Sequence, residues 1–193
     1  MHPAYIKGTV KTLRINGETL QAEYIGKGSF SRVYRVGDSV YIFLKLGPSC
    51  ENTDYSKEIL KNCVYSQHVP QIEYIDKTET HIIYKMPFYN KLTVGSVAYK
   101  QAKILYKAWV KTWYNPREDN FTNNHKFITN IESLLPISII EALREIIDES
   151  ANYGLQYRLE FPLRNMAEDS EGNLILLDVL FNPYALKHYY KKS

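Results

Sequence analysis

Cysteine is scarce: Cys50 and Cys63 are the only two in 193 residues. Neither belongs to a CxxC pair or sits near a histidine at metal-ligand spacing, which argues against a disulfide framework and a zinc site and for free thiols in a reducing compartment. Long apolar runs are also missing, since no stretch approaches the roughly 18 uninterrupted apolar residues that a membrane span needs. The opening Met-His-Pro-Ala-Tyr-Ile-Lys-Gly contains no apolar core of a secretory signal. These gaps lead us to expect a soluble cytoplasmic chain with no membrane partner, in which the glycosylation-like Asn120-Phe-Thr is a chance match. Charge of one sign is lacking too: a net +3 gives no general reason to expect nucleic acid as a partner. Internal repeats and low-complexity linkers are absent. What remains is a chain that is 45% hydrophobic, enough to bury a substantial core in one domain.

Residues 5–24 alternate weakly about Asn16-Gly17, a dipeptide suited to a two-residue hairpin turn, and read as two strands. Next comes Tyr24-Ile-Gly-Lys-Gly-Ser-Phe-Ser-Arg-Val-Tyr34. Gly26, Gly28, Ser31 and Val33 follow the pattern G-x-G-x-x-small-x-V between two strands, where missing side chains let backbone N–H groups approach phosphates. Phe30 at the tip would shield those phosphates from water. After a Gly37-Asp38 turn, Tyr41-Ile-Phe-Leu-Lys-Leu-Gly47 is a strand with a single lysine, Lys45. Pointing inward, Lys45 needs an anionic partner, because an unpaired ammonium in low dielectric is costly. Pointing outward from an edge strand, it needs none.

Residues 51–66 read as a helix, with Asn52, Thr53 or Asp54 as caps and Ile59, Leu60, Cys63 and Val64 at helical spacing. Glu58 is the candidate to pair with Lys45, and Glu51 competes for that place. Two short strands, 72–75 and 81–84, lead to the extended connector Lys85-Met-Pro-Phe-Tyr-Asn90, in which Pro87 lacks an N–H. From there the chain reads as helix. Residues 97–114 place Leu105, Ala108, Trp109 and Trp113 on one face and Lys100, Lys103, Lys107 and Lys111 on another. Residues 115–125 read as a polar loop and 127–135 as a short helix. Residues 137–150 form an amphipathic helix that buries Ile140, Leu143, Ile146 and Ile147.

The final segment carries the chemistry. Glu160 is followed five residues later by Asn165 and, thirteen further on, by Asp178 at the end of the apolar run Leu174-Ile-Leu-Leu177. Phosphoryl transfer from a nucleotide needs one carboxylate to orient the attacking hydroxyl, and an amide with a second carboxylate to hold Mg²⁺. A hairpin turning at Ser170-Glu-Gly-Asn173 would deliver Asp178 to that task.

The order of glycine turn, lysine strand, helix, two strands, connector, helices and final hairpin resembles the protein kinase fold over roughly residues 20–182. Its motifs are most similar to the small early serine/threonine kinases and kinase-like proteins of tailed bacteriophages, matched here by Lys45-Leu-Gly47 after the glycine turn. The resemblance implies an α+β fold: an antiparallel-sheet N-lobe with one helix (1–86), a hinge (87–91) and a truncated, mainly helical C-lobe (92–193). It implies that Gly26, Gly28, Ser31 and Val33 bind ATP with Lys45, and that Glu58 positions Lys45. Glu160 would be the catalytic carboxylate, and Asn165 and Asp178 the Mg²⁺ ligands. A host protein would be the substrate.

Three departures stand against a standard kinase. Glutamate replaces aspartate at 160, moving the carboxylate by about 1 Å, a displacement that can cost about 10²-fold in rate. Asp178-Val-Leu stands for Asp-Phe-Gly, and only fifteen residues follow Asp178. Regulation through an activation loop is therefore not expected, and substrate docking falls to the 100–111 lysine face or to Tyr184, His188, Tyr189 and Tyr190. Three functions remain open: a minimal protein kinase, a pseudokinase-like module that binds a host protein without catalysis, and a small-molecule phosphotransferase of the aminoglycoside-kinase type. The last needs a larger helical lobe than this length provides.

Overall fold

A computed structural model describes residues 10–47, 53–112, 114–154 and 156–185. Cys50, Glu51, Asn52, Trp113, His188, Tyr189 and Tyr190, named above, lie outside those residues. The chain forms two compact units, residues 1–54 with 72–88, and residues 55–71 with 89–193.

The first unit is a six-stranded sheet in the order β1-β2-β3-β4-β6-β5, with neighbours antiparallel. Its strands are β1 (Val10–Ile15), β2 (Glu18–Lys27), β3 (Ser31–Val36), β4 (Ser39–Lys45), β5 (Glu73–Lys77) and β6 (His81–Pro87). The first turn forms where Asn16-Gly17 predicts it, with φ of 49° and 81°. Alternation sets the core: Val40, Ile42 and Leu44 of β4 meet Ile82 and Tyr84 of β6, with Ile25, Phe30, Val33 and Met86 packed against them. The opposite face carries aromatic edges, Tyr24 on Tyr34 and Tyr34 on Phe43, at centroid distances of 5.6 and 5.4 Å.

The second unit holds α1 (Ser56–Asn62), α2 (Val97–Lys111), α3 (Asn120–Ile131) and α4 (Ile137–Ala151). With them are the short strands β7 (Asn90–Lys91), β8 (Arg158–Leu159), β9 (Met166–Glu168), β10 (Leu174–Leu176) and β11 (Leu180–Phe181). Three-stranded β10-β9-β7 and two-stranded β11-β8 are antiparallel throughout. The helix over 137–150 forms as its periodicity predicts, and Ile140, Leu143, Ile146 and Ile147 are all fully buried. No helix among the described residues is long and apolar enough to cross a membrane.

Two expected elements differ. The polar loop over 115–125 is half helix: the Asp119 carboxylate accepts from Thr122 N at 2.7 Å and caps α3, so the chain turns helical at Asn120. That bond also draws the Asp119 carboxyl below its usual range. The helix expected over 51–66 is only Ser56–Asn62 among the described residues, with Val64 exposed just beyond it. Its N-cap position is Tyr55, which makes no side-chain capping bond, and Thr53 Oγ1 accepts from Gly47 N at 3.1 Å.

Candidate functional site

The segment from Tyr157 to Asp178 is held from several sides within the second unit. Asn124, fully buried on α3, donates from Nδ2 to Tyr157 O at 2.9 Å, and its Oδ1 accepts from Leu159 N at 3.1 Å and Tyr114 Oη at 3.0 Å. Burial pushes the Tyr114 hydroxyl up to about 12, against the opposing pull of Arg158. One residue past Glu160, Phe161 is fully buried and stacks on Phe127 at 5.4 Å. Glu160 N donates to Val179 O at 2.9 Å, beside the β8–β11 pairing. The backbone carrying Glu160 is thereby fixed against the backbone that follows Asp178.

Asn165 joins the two carboxylate segments. Its Nδ2 donates to Glu160 Oε1 at 3.1 Å and to Asp178 O at 2.6 Å. Its backbone carbonyl accepts from Leu177 N at 3.0 Å and Asp178 N at 3.1 Å. With both amide protons committed, Oδ1 is the end left to face a cation. The spacing of five and thirteen residues therefore closes into one cluster, as its sequence pattern predicts.

The β9–β10 hairpin delivers Asp178 to this place. Asp169 shapes its turn by accepting from Glu171 N and Asn173 N at 2.9 and 2.8 Å, and Gly172 takes φ 83°. His68, buried, bridges Leu174 O at 2.8 Å and Ser138 Oγ at 2.9 Å, and its carbonyl accepts from Leu176 N. On β9, Glu168 receives hydroxyl bonds from Thr93 and Ser96, which hold its carboxyl below the usual range.

Lys57 on α1 completes the cluster. Its Nζ donates to Asp178 Oδ1 at 2.6 Å and to Leu177 O at 2.9 Å. The lysine side chain is 9% exposed, while the Asp178 side chain is 49% exposed and open to solvent. Sequence reasoning missed Lys57, although its position three residues before the buried Leu60 puts it on the apolar face of the helix. A lysine on that face needs an anion to answer it. Glu58, the expected partner of Lys45, forms an ion pair with Lys61 one turn along the same helix.

The glycine turn lies in the first unit. Gly26 pairs with Val33 after an irregularity in the β2–β3 register, and Gly28 N donates to Ser31 O at 2.9 Å. A Cβ on Gly26 would project into open space, and one on Gly28 would sit 3.0 Å from Ser31 Oγ. The turn thus offers a bare backbone where a phosphate could approach. Two expectations are corrected here. Phe30 packs against the Val40–Ile42–Leu44 cluster, which the apolar ring favours over a place at the tip. Lys45 does not point inward: the buried phase of β4 is taken by Val40, Ile42 and Leu44, so Lys45 is exposed in the phase of Tyr41 and Phe43. Val33, opposite Ile42 in the register, shares the other face. His81, paired with Lys45 in the ladder, has its imidazole pKa lowered by burial first, then by Arg32 and Lys45.

Among the described residues no group of three or more His, Cys, Asp or Glu side chains converges on a metal. Mg²⁺ does not need one, because it keeps waters and phosphate oxygens and takes about one or two carboxylates from the protein. Asp178 and the Oδ1 of Asn165 are hard oxygen donors of the right kind, so the residues present fit the ion.

No protein-family model and no curated protein matches the sequence. Several solved structures are similar in part, among them two that span most of this chain. One is the streptomycin–ATP–APH(2'')-IIa ternary complex, at 16% identity, covering 91% of this chain and 78% of that chain, with a TM-score of 0.35. The other is choline kinase LicA from Streptococcus pneumoniae, at 18% identity, covering 90% of this chain and 71% of that chain, with a TM-score of 0.37. At these values the functional reading rests on this chain's own residues.

Proposed function

We propose that this chain transfers the γ-phosphate of Mg-ATP to a hydroxyl group, with a host-protein side chain as acceptor. The observation that carries the reading is the Asn165 amide, which ties Glu160 to the Asp178 segment and leaves its own oxygen for a cation. In this reading Glu160 orients the acceptor hydroxyl, Asp178 and Asn165 hold Mg²⁺, and the bare backbone of the Gly26, Gly28, Ser31 and Val33 turn receives the nucleotide. The likeness of the motifs to the phage kinases supports a protein acceptor.

A second reading is favoured by one observation: Glu160 accepts from Asn165 and Asp178 from Lys57, so both carboxylates are already engaged. In that reading the chain is a binding module that keeps the arrangement without turning over. The test is incubation with Mg²⁺ and γ-labelled ATP, with host lysate in one arm and small alcohols or aminoglycosides in another, and Asp178→Asn in parallel. Label in a protein band that disappears in the folded variant supports the protein kinase. Label only on a small alcohol replaces the acceptor, and no label above the variant favours the binding module.

A further inference from the structure

Asp178 is both the proposed principal Mg²⁺ ligand and the partner of Lys57. An ammonium 2.6 Å from Oδ1 occupies the space in which a metal would meet that oxygen. A second positive charge arriving there is repelled unless an anion comes with it. Lys57 cannot swing freely away, because it is 9% exposed and also held by Leu177 O at 2.9 Å. Its ammonium carries three protons, of which two are used among the described residues, leaving the third for an incoming phosphate oxygen.

We propose that Lys57 is a gating cation that makes metal binding at Asp178 depend on nucleotide. The inference rests on the phosphotransfer reading above. Without nucleotide, Lys57 neutralises Asp178 and keeps affinity for a free divalent ion low. When a triphosphate arrives, its negative charge offsets the repulsion between ammonium and metal, its oxygens complete the ion's coordination, and one of them accepts the third ammonium proton. The site then takes metal and nucleotide together, and a bare cation poorly. A lysine that only pinned α1 to the Asp178 segment would leave metal affinity unchanged.

Calorimetric titration with Mn²⁺ tests this, with and without a non-hydrolysable ATP analogue, on wild type, Lys57→Met, Lys57→Gln and Asp178→Asn. Thermal melts confirm folding. Lys57→Gln keeps a donor for Leu177 O without the charge, and so preserves the test should Lys57→Met fail to fold. Coulomb repulsion at contact distance predicts that the neutral variants bind Mn²⁺ without nucleotide at least about tenfold more tightly than wild type. The analogue should raise Mn²⁺ affinity far more in wild type than in these variants. Equal nucleotide-free affinity in wild type and a folded neutral variant would overturn the gate; if wild type still bound Mn²⁺ with the analogue through Asp178, the phosphotransfer reading would survive. Failure of wild type to take up Mn²⁺ even with the analogue would overturn both.

Discussion

Replacing Asn165 with aspartate exchanges one heavy atom, the amide nitrogen for an oxygen, and reverses the logic of the site. The native amide donates to Glu160 Oε1 and to Asp178 O, at 3.1 and 2.6 Å. Alanine removes both bonds. Each bond is worth about 1 kcal/mol, with a further cost for a buried acceptor left unmet, so Asn165→Ala should destabilise by about 2–3 kcal/mol. Aspartate loses the same bonds and also sets a carboxylate against a carboxylate and a carbonyl, with Asn165 itself only 9% exposed. At neutral pH Asn165→Asp should therefore cost about 1–2 kcal/mol more than alanine. The gap should close at low pH, where a protonated carboxyl regains a donor. Urea unfolding of the three proteins at two pH values measures it. If aspartate at neutral pH were as stable as alanine or more so, the amide would not be donating to these acceptors, and the assignment of Oδ1 to a cation would fall with it.

Other consequences can be measured separately. Asn124→Ala removes two bonds that fix residues 157–159 and a third from Tyr114 Oη, and should cost about 3 kcal/mol in urea unfolding while loosening the approach to Glu160. A loss under about 1 kcal/mol would show that the segment is held elsewhere. Glu168 has a folded pKa below its ordinary 4.5, so its stabilisation is complete above that pH and disappears as pH falls through the folded value. The difference in melting temperature between wild type and Glu168→Gln should be present at neutral pH and shrink below pH 4.5. A pH-independent difference would mean that its bonds with Thr93 and Ser96 carry no charge effect.

Much of this arrangement was legible in the residues. The five-and-thirteen spacing of Glu160, Asn165 and Asp178 needs only a tight loop and a hairpin, both of which are local and announce themselves in turn residues. The Asn16-Gly17 turn and the stripe of α4 were readable for the same reason: each depends on periods of two or about 3.6 residues and not on distant partners. The direction of Lys45 was not, because a strand of Tyr-Ile-Phe-Leu offers apolar residues in both phases and only the sheet decides which is buried. Lys57 was hidden by distance, since its partner lies 121 positions away. The Asp119 cap lay inside a polar stretch that reads as loop until the Thr122 N–H is seen to need an acceptor. The β8–β11 pair, two residues on each strand, is too short for any periodicity to show.

The most direct test of the central claim needs no acceptor to be known: release of the γ-phosphate of ATP to water by the purified chain, with and without Mg²⁺, in wild type and in folded Asp178→Asn. The cluster of Glu160, Asn165 and Asp178 predicts slow release that requires Mg²⁺ and is lost in the variant. Release equal in both proteins, or none from wild type at saturating Mg-ATP, would contradict it.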